Sequence, residues 1–326
     1  MTSDATDKEC DIEENISKEK ELINPVLWKF LLFIGVIIYS SYTIFVHLCE
    51  IDGKIPFKSS SMVLMTEITK FVMSAIMFIP EYKKHGLQLP PFLLIIPFAV
   101  PGFLYCLNNN LAVYIQLEMD PATYQVLGNF KILTTAILFR LIIKKPITKI
   151  QWIALGFLLL AGITNSYGGF INKLVVKDLG HIYITIAGLI MIFIYCTVSG
   201  LSGVYTEYVL KNQKELSIHL QNGLLYSFGI LLNGILFLYQ GYDTADYAMF
   251  TGYTVYTWLL IISQAVIGII MGVIMKHASN ITRLFLISTA MILTTVLSIV
   301  IFGLHLNIYF VFAIVLVLAA LYLHHM

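Results

Sequence analysis

The chain has 326 residues, of which 58% are hydrophobic and 12% are charged, and its formal net charge is +1. Soluble globular domains carry about 25% charged residues, so this composition excludes that class and indicates a protein that crosses a membrane many times. The near-neutral charge gives no basis for a nucleic-acid partner. The four cysteines lack metal-ligand or CxxC spacing, which argues against a disulfide framework.

Residues 1–25 differ from the rest of the chain because they hold eight acids against three lysines. They lack the basic start of a signal peptide, and a solvated, disordered tail fits this composition. We therefore expect two regions, a disordered acidic tail at 1–25 and a membrane domain at 26–326.

A membrane-spanning helix needs roughly 20 mostly apolar residues. Ten stretches of the chain meet this requirement, so the sequence predicts an all-α membrane protein of ten transmembrane helices. The stretches are 27–48, 61–80, 91–115, 121–143, 150–170, 181–207, 218–240, 254–275, 281–303 and 306–323.

The loops between these spans differ in their content of Lys and Arg. The even-numbered loops and their edges carry nine of these residues, whereas the odd-numbered loops carry four. Because Lys and Arg concentrate on the cytosolic side of a membrane, we expect the even-numbered loops to be cytosolic. With ten spans, both termini are then cytosolic as well.

Polar residues interrupt the second and third spans. Glu67 and Lys70 are three residues apart and share a helix face, either as a self-neutralising pair or as the wall or gate of a hydrated cavity. Tyr105 and Asn109 are four residues apart in the third span. A ring beside an amide is suited to stacking on a nucleobase and recognising its edge.

Lys131 is the most informative residue because it places an ammonium group inside the fourth span. Such a cation costs on the order of 2.5–3.5 kcal/mol at mid-membrane and usually faces a polar cavity or a partner. Tyr124 lies seven residues earlier, nearly on the same face of a continuous helix. One of the two could stack or hydrogen-bond while the other neutralises a phosphate.

The sixth span combines small residues with a charged pair. Gly200 and Gly203 predict close helix packing, or a bend or hinge. Glu207 and Lys211 lie four residues apart near the expected cytosolic end, and we expect them to form an ion pair on the surface.

The seventh span repeats the pairing of an amide with a tyrosine four residues away, in Asn222 and Tyr226. At the start of the ninth span, Arg283 is either an anchor at the membrane edge or the second cation of a phosphate clamp. The run from Asn280 to Arg283 faintly echoes the run from Asn129 to Lys131. Such an echo would follow from two five-span repeats inserted in opposite orientations.

The sequence contains no Walker loop, paired-Asp motif or Ser/His/Asp grouping, and its eight histidines are not at metal-ligand spacing. We therefore expect no catalytic residues, no metal site and no cofactor, and we do not expect an enzyme.

Taken in order, these residues resemble the nucleotide-sugar transporters of solute carrier family 35, subfamily A, over about residues 27–323. The marks are Thr66-Glu67…Lys70, Tyr105…Asn109-Asn110-Leu111, Tyr124-Gln125-Val126…Lys131-Ile132, Ser199-Gly200…Gly203-Val204-Tyr205…Glu207, Asn222…Tyr226 and Lys276…Asn280-Ile281. Each is weak alone, but six at matching spacings are specific. The chain departs from better-known relatives at Asn108, at Gly128-Asn129 and at Arg283, so the identity of the substrate does not transfer.

The resemblance implies a drug/metabolite-transporter fold with inverted five-helix repeats in the Golgi membrane. It implies exchange of a cytosolic pyrimidine-nucleotide sugar, linked to UDP, CDP or CMP, for a luminal nucleoside monophosphate. By the same resemblance, Tyr105, Asn109, Asn222 and Tyr226 would contact the pyrimidine nucleoside, Tyr124, Lys131 and Arg283 would surround the ribose and phosphates, and Glu67 and Lys70 would line or gate the sugar end.

Two other functions stay open. A non-transporting membrane scaffold would bind related transporters through its acidic tail and its small-residue helix faces. A carrier of another anion, such as a triose phosphate, would not need the pairs of Tyr and Asn. The sequence also leaves open whether the chain forms a homo-oligomer or a hetero-oligomer with related transporters.

Overall fold

The computed structural model describes residues 25–49, 55–86, 90–119, 121–175, 185–213, 216–244, 246–302 and 307–325. The predicted acidic tail lies outside these residues, apart from Pro25. Helices dominate the described residues, and each helix carries here the number of its span. They are α1 (Pro25–Cys49), α2 (Ser59–His85), α3a (Phe92–Ile95), α3b (Ala99–Glu118), α4a (Pro121–Gly128), α4b (Lys131–Ile142), α5 (Lys149–Val175), α6 (Ile186–Asn212), α7 (Ile218–Thr244), α8 (Val255–His277), α9 (Asn280–Phe302) and α10 (Ile308–His325).

The predicted membrane fold is confirmed. Within the described residues, nine helical stretches are long and apolar enough to cross a membrane, and α10 adds a shorter apolar helix. The sixth span begins at Ile186 rather than at 181, because the Thr185 side chain accepts a hydrogen bond from the Gly188 backbone at 2.9 Å and caps the helix there. The chain is a multi-pass membrane protein.

The fourth span is not the continuous helix predicted over 121–143, because it breaks at Asn129 and Phe130. The Asn129 side chain donates to the backbone carbonyl of Gln125 at 2.7 Å and to the Ser166 hydroxyl of α5 at 3.2 Å. Side chains of this kind compete with helical hydrogen bonding. The break leaves Lys131 as the first residue of a half-helix.

The helices pair in a pattern that repeats after five spans. Helix α1 packs on α8 and α9, and its counterpart α6 packs on α3b and α4b. Likewise α2 packs on α8, and α7 packs on α3b, whereas α2 pairs with α7 and α5 pairs with α10. Because five is odd, two such halves enter a membrane in opposite orientations. The pairing therefore agrees with the inverted repeats expected from the sequence.

Two hydrophobic clusters fix the start of α9. Ile281 and Leu284 pack with Ile132 of α4b in one cluster, and Leu286 packs with Ile274 of α8 in the other. The segment that carries Arg283 is therefore held between α4b and α8. This arrangement brings the first turn of α9 beside the half-helix that begins at Lys131.

Candidate functional site

An ion pair and a tyrosine lie together between α2 and α7. The Lys70 Nζ is 2.7 Å from the Glu67 Oε1, and each side chain is 16% exposed. The same Nζ lies 5.5 Å from the centre of the Tyr226 ring, within the range of a cation–π interaction. Tyr226 itself is 4% exposed. The predicted sugar-end pair thus adjoins a predicted nucleoside residue.

Two glycines of α8 make room for side chains of this group. A Cβ at Gly268 would lie 2.7 Å from the Lys70 Cε, and a Cβ at Gly272 would lie 2.8 Å from the Asn222 Oδ1. Four residues along a helix correspond to a rise of about 6 Å, so Lys70 and Asn222 rest one turn apart on the same face of α8. Because Gly268 and Gly272 have no side chains, Lys70 and Asn222 can both lie directly against the backbone of α8.

Asn222 is buried, and its amide has no partner among the residues that the structure describes. The residue is 1% exposed, and within the described part of the chain neither its Oδ1 nor its Nδ2 has a hydrogen-bond partner. Leaving a buried polar group unsatisfied costs about 1–3 kcal/mol. The Asn222 amide can therefore form hydrogen bonds with the edge of a ligand.

Arg283 extends the group to the ninth span. Its Nη1 is 3.5 Å from the Tyr105 hydroxyl, at the long limit of a hydrogen bond, and 3.7 Å from the Met275 sulfur. Tyr105 and Glu67 both lie within electrostatic range of Tyr226. We refer to the six predicted residues that the structure brings together as the Tyr226 cluster: Glu67, Lys70, Tyr105, Asn222, Tyr226 and Arg283.

Tyr124 and Lys131 lie instead against α6. The ring centre of Tyr124 is 5.7 Å from that of Tyr195, and Lys131 lies within electrostatic range of Cys196. A helix break lies between Tyr124 and Lys131, and both residues nevertheless face neighbouring positions of α6. Among the described residues, no hydrogen bond, ion pair or ring contact joins them to the Tyr226 cluster.

The remaining amides of the third span differ in their surroundings. Asn109 is exposed, whereas the Oδ1 of Asn108 is buried and has no hydrogen-bond partner within the described residues. The resemblance emphasised position 109, but the buried oxygen belongs to position 108, where the chain departs from better-known relatives.

The small residues of α6 permit close contacts. A Cβ at Gly200 would lie 3.0 Å from the backbone nitrogen of Thr135 in α4b. A Cβ at Gly203 would lie 2.7 Å from the Nδ2 of Asn280, the first residue of α9. Both glycines are therefore points at which α6 approaches the helices that carry Lys131 and Arg283.

The prediction that Glu207 and Lys211 form an ion pair on the surface is wrong about the surface. Their ion pair measures 2.6 Å, but the Glu207 side chain is 0% exposed. The second carboxylate oxygen of Glu207 accepts a hydrogen bond from the Asn280 backbone nitrogen at 2.6 Å. The helix face of Glu207 packs against α9, so spacing along the helix identified the pair but not its burial.

A third ion pair, between Lys58 and Asp246, lies at the opposite ends of the helices from Glu207 and Lys211. The Lys58 Nζ is 2.6 Å from the Asp246 Oδ2, with side chains 30% and 48% exposed. The hydrogen bond from Lys58 is the main cause that holds the pKa of Asp246 below its usual value. The pair borders a cavity of about 180 Å³ that is lined also by Phe237, Gln240 and Asp243.

No group of three or more metal-binding side chains occurs among the described residues. The arrangement presents cations, aromatic rings and amides, which are groups suited to recognising a ligand. Cations suit phosphate groups, whereas rings and amides suit a nucleobase.

Known proteins with similar sequences provide independent evidence on the family of this chain. A family model described as "Nucleotide-sugar transporter" matches residues 25–325. A "Probable UDP-sugar transporter protein SLC35A4" of Xenopus tropicalis is 40% identical over 311 residues, which cover 95% of this chain and 96% of that protein. The Danio rerio protein of that name is 40% identical and the Homo sapiens protein 37% identical, both over 91% of this chain and over 93% and 94% of their own lengths.

A solved structure supports the fold alone. A crystal structure of another protein matches with a TM-score of 0.62 at 11% identity, covering 91% of this chain and 97% of that chain. The family match and the relatives, by contrast, confirm the resemblance drawn from the sequence. The chain belongs to the nucleotide-sugar transporter family.

Proposed function

We propose that this chain is a Golgi antiporter that exchanges a cytosolic pyrimidine-nucleotide sugar for a luminal nucleoside monophosphate. In this proposal the even-numbered loops and both termini face the cytosol. The printed names of the relatives make a UDP-sugar the first substrate to test. A CDP- or CMP-linked sugar or sugar alcohol is the next class.

The observation that carries the proposal is the placement of one cation in each half of the molecule. Lys131 opens the half-helix α4b, and Arg283 lies in the first turn of α9. No acid forms an ion pair with either of them among the described residues. A cation at the positive end of a helix is unfavourable unless an anion lies nearby. Phosphate groups of the substrate would supply that anion.

The rest of the Tyr226 cluster would bind the other parts of the substrate. Tyr105, Asn222 and Tyr226, together with Asn109, would contact the pyrimidine nucleoside, and the unpartnered amide of Asn222 supports this assignment. Tyr124 would lie near the ribose and phosphates. Glu67 and Lys70 would line or gate the sugar end.

This arrangement gives a physical reason for exchange. Substrate and counter-substrate share a nucleotide phosphate, so both would satisfy the same two cations during the crossing. An empty carrier would have to move with those cations unpaired, which is costly inside a membrane. The crossing would therefore be fast only with a nucleotide bound.

The experiment uses the purified protein in liposomes preloaded with UMP or CMP. Uptake of labelled UDP-, CDP-, CMP- and GDP-linked sugars is measured, with empty liposomes and a related transporter of known activity as controls. We expect uptake of one pyrimidine-linked sugar that requires a matching internal monophosphate.

Failure of every compound while the control transporter works would overturn the proposal. If deletion of residues 1–24 then impairs the cellular role more than Lys131→Ala does, the scaffold function becomes the better interpretation.

A further inference from the structure

The buried carboxylate of Glu207 contacts the start of the helix that carries Arg283. Its Oε2 accepts the hydrogen bond from the backbone nitrogen of Asn280, the first residue of α9, at 2.6 Å. Its Oε1 accepts from the Lys211 Nζ at 2.6 Å. Glu207 therefore links α6 to a helix terminus three residues before Arg283.

This contact satisfies a group that the helix cannot satisfy by itself. The first backbone N–H groups of a helix have no partner within it, and a carboxylate is favourable at that end. A second cap is local, because the Ser279 hydroxyl accepts from the Thr282 backbone nitrogen at 3.1 Å. Ser279 shapes the first turn, whereas Glu207 fixes where that turn lies relative to α6.

Two further contacts hold the same place. Lys211 also donates to the carbonyl of Ala278, just before α9. The Asn280 side chain fills the space that a side chain at position 203 would need. The turn between α8 and α9 is therefore tied to α6 both just before and at the first residue of α9.

The charges are distributed so that Arg283 keeps its own charge for a ligand. Glu207 is paired with Lys211, and within the described residues Arg283 has no acid partner. Burial of a carboxylate is costly, and apolar packing could hold two helices together without that cost. A buried acid at this point is better explained by the need to place a cation.

We propose that Glu207 is a positioning residue for phosphate recognition by Arg283. The inference rests on the proposed function, since it requires that the chain bind a nucleotide. Glu207 itself touches no ligand and acts through the placement of the first turn of α9.

The test compares the affinities of UMP and uridine, measured by isothermal titration calorimetry on the purified full chain in detergent. The readout is the preference for UMP over uridine, which isolates recognition of the phosphate. Glu207→Gln should lower this preference about tenfold, the effect of losing one charge-assisted contact. If Glu207 had only a structural role, Glu207→Gln would weaken the binding of UMP and of uridine equally and leave the preference unchanged. That result would overturn the inference.

A double-mutant cycle identifies the residue through which Glu207 acts. Glu207→Gln should have no further effect on the preference in an Arg283→Met background and its full effect in a Lys131→Met background. Equal effects in the two backgrounds would contradict the inference. Asp246→Asn, which removes the ion pair at the other end of the helices, is the matched control and should leave the preference unchanged.

The outcomes also separate the two proposals. If the wild-type chain binds neither UMP nor CMP, the proposed function and this inference both fail. If it binds UMP and Glu207→Gln keeps the full preference, only this inference fails. Should Glu207→Gln not be recovered in folded form, Gly203→Ala, which displaces the Asn280 side chain at the start of α9, should lower the preference in the same direction, and an unchanged preference in that variant would contradict the inference.

Discussion

Two ion pairs of equal length lie at opposite ends of the helices, and they differ in the burial of the acid, since their lysines are 29% and 30% exposed. Glu207 and Lys211 are 2.6 Å apart with the acid completely buried, whereas Lys58 and Asp246 are 2.6 Å apart with the acid about half exposed. Water screens the second pair, so its contribution to stability is small. The carboxylate of the first pair is buried, and a buried acid without its partner would be costly.

The difference teaches that the neighbours of a charge, rather than its partner, decide its role. Glu207 continues the helix face of Gly200 and Gly203, since the three positions are spaced by three and four residues. Those glycines bring α6 close to α4b and α9, and the acid that follows them is carried into the same interface. Asp246 lies in a loop, and the hydrogen bonds of its side chain go to Lys58 and Ala248.

The largest effect on stability is expected from Lys211→Ala, which leaves the buried Glu207 carboxylate without its ion-pair partner. Removing one member of a buried pair costs about 3–5 kcal/mol. We expect the free energy of unfolding to fall by about 3 kcal/mol, the lower end of this range, because the hydrogen bond from the Asn280 backbone to Glu207 remains. Titration with SDS in mixed micelles measures the free energy of unfolding. A loss no larger than that of Lys58→Ala would remove the contrast between the two pairs.

An intermediate loss of stability is expected from Gly203→Ala. The added methyl group would lie 2.7 Å from the Asn280 side chain, and overpacking of this kind costs about 1–3 kcal/mol. Gly223→Ala is the matched control, because a Cβ there meets nothing within 4 Å. Thermal unfolding in detergent should separate the two variants. Equal melting temperatures would show that α6 and α9 are not held as closely as the structure indicates.

The smallest effect is expected from Asp246→Asn, with no resolvable change in melting temperature at neutral pH. The hydrogen bond from Lys58 lowers the pKa of Asp246, so any stability it gives is present above the usual carboxyl range and is lost only as the pH falls below about 4. The wild-type and Asp246→Asn melting curves should therefore differ equally little at pH 7 and pH 5. A difference that grew between those values would contradict this assignment.

Much of the fold and of the site follows from the sequence, for physical reasons that particular residues illustrate. Apolar runs of sufficient length predicted the spans, and the structure places Tyr105, Asn222 and Tyr226 near one another, while their contact with a substrate stays a prediction. The break at Asn129 was missed, since the Ser166 hydroxyl that its side chain contacts lies in another span. The burial of Glu207 was missed because helical spacing defines a face but not the helix that covers it.

The structure brings together six of the predicted site residues in the Tyr226 cluster, but it places Tyr124 and Lys131 against α6. Their joint action on one substrate remains a prediction. Lys131 is the residue on which that prediction depends most.

The most direct test of the central claim is nucleotide exchange by Lys131→Ala in liposomes preloaded with UMP or CMP. Lys131→Arg serves as the variant that keeps the charge, and equal amounts of folded protein are verified by gel filtration. The account predicts that Lys131→Ala abolishes exchange while its fold is kept, and that Lys131→Arg retains part of it. Exchange by Lys131→Ala at the wild-type rate would contradict the account.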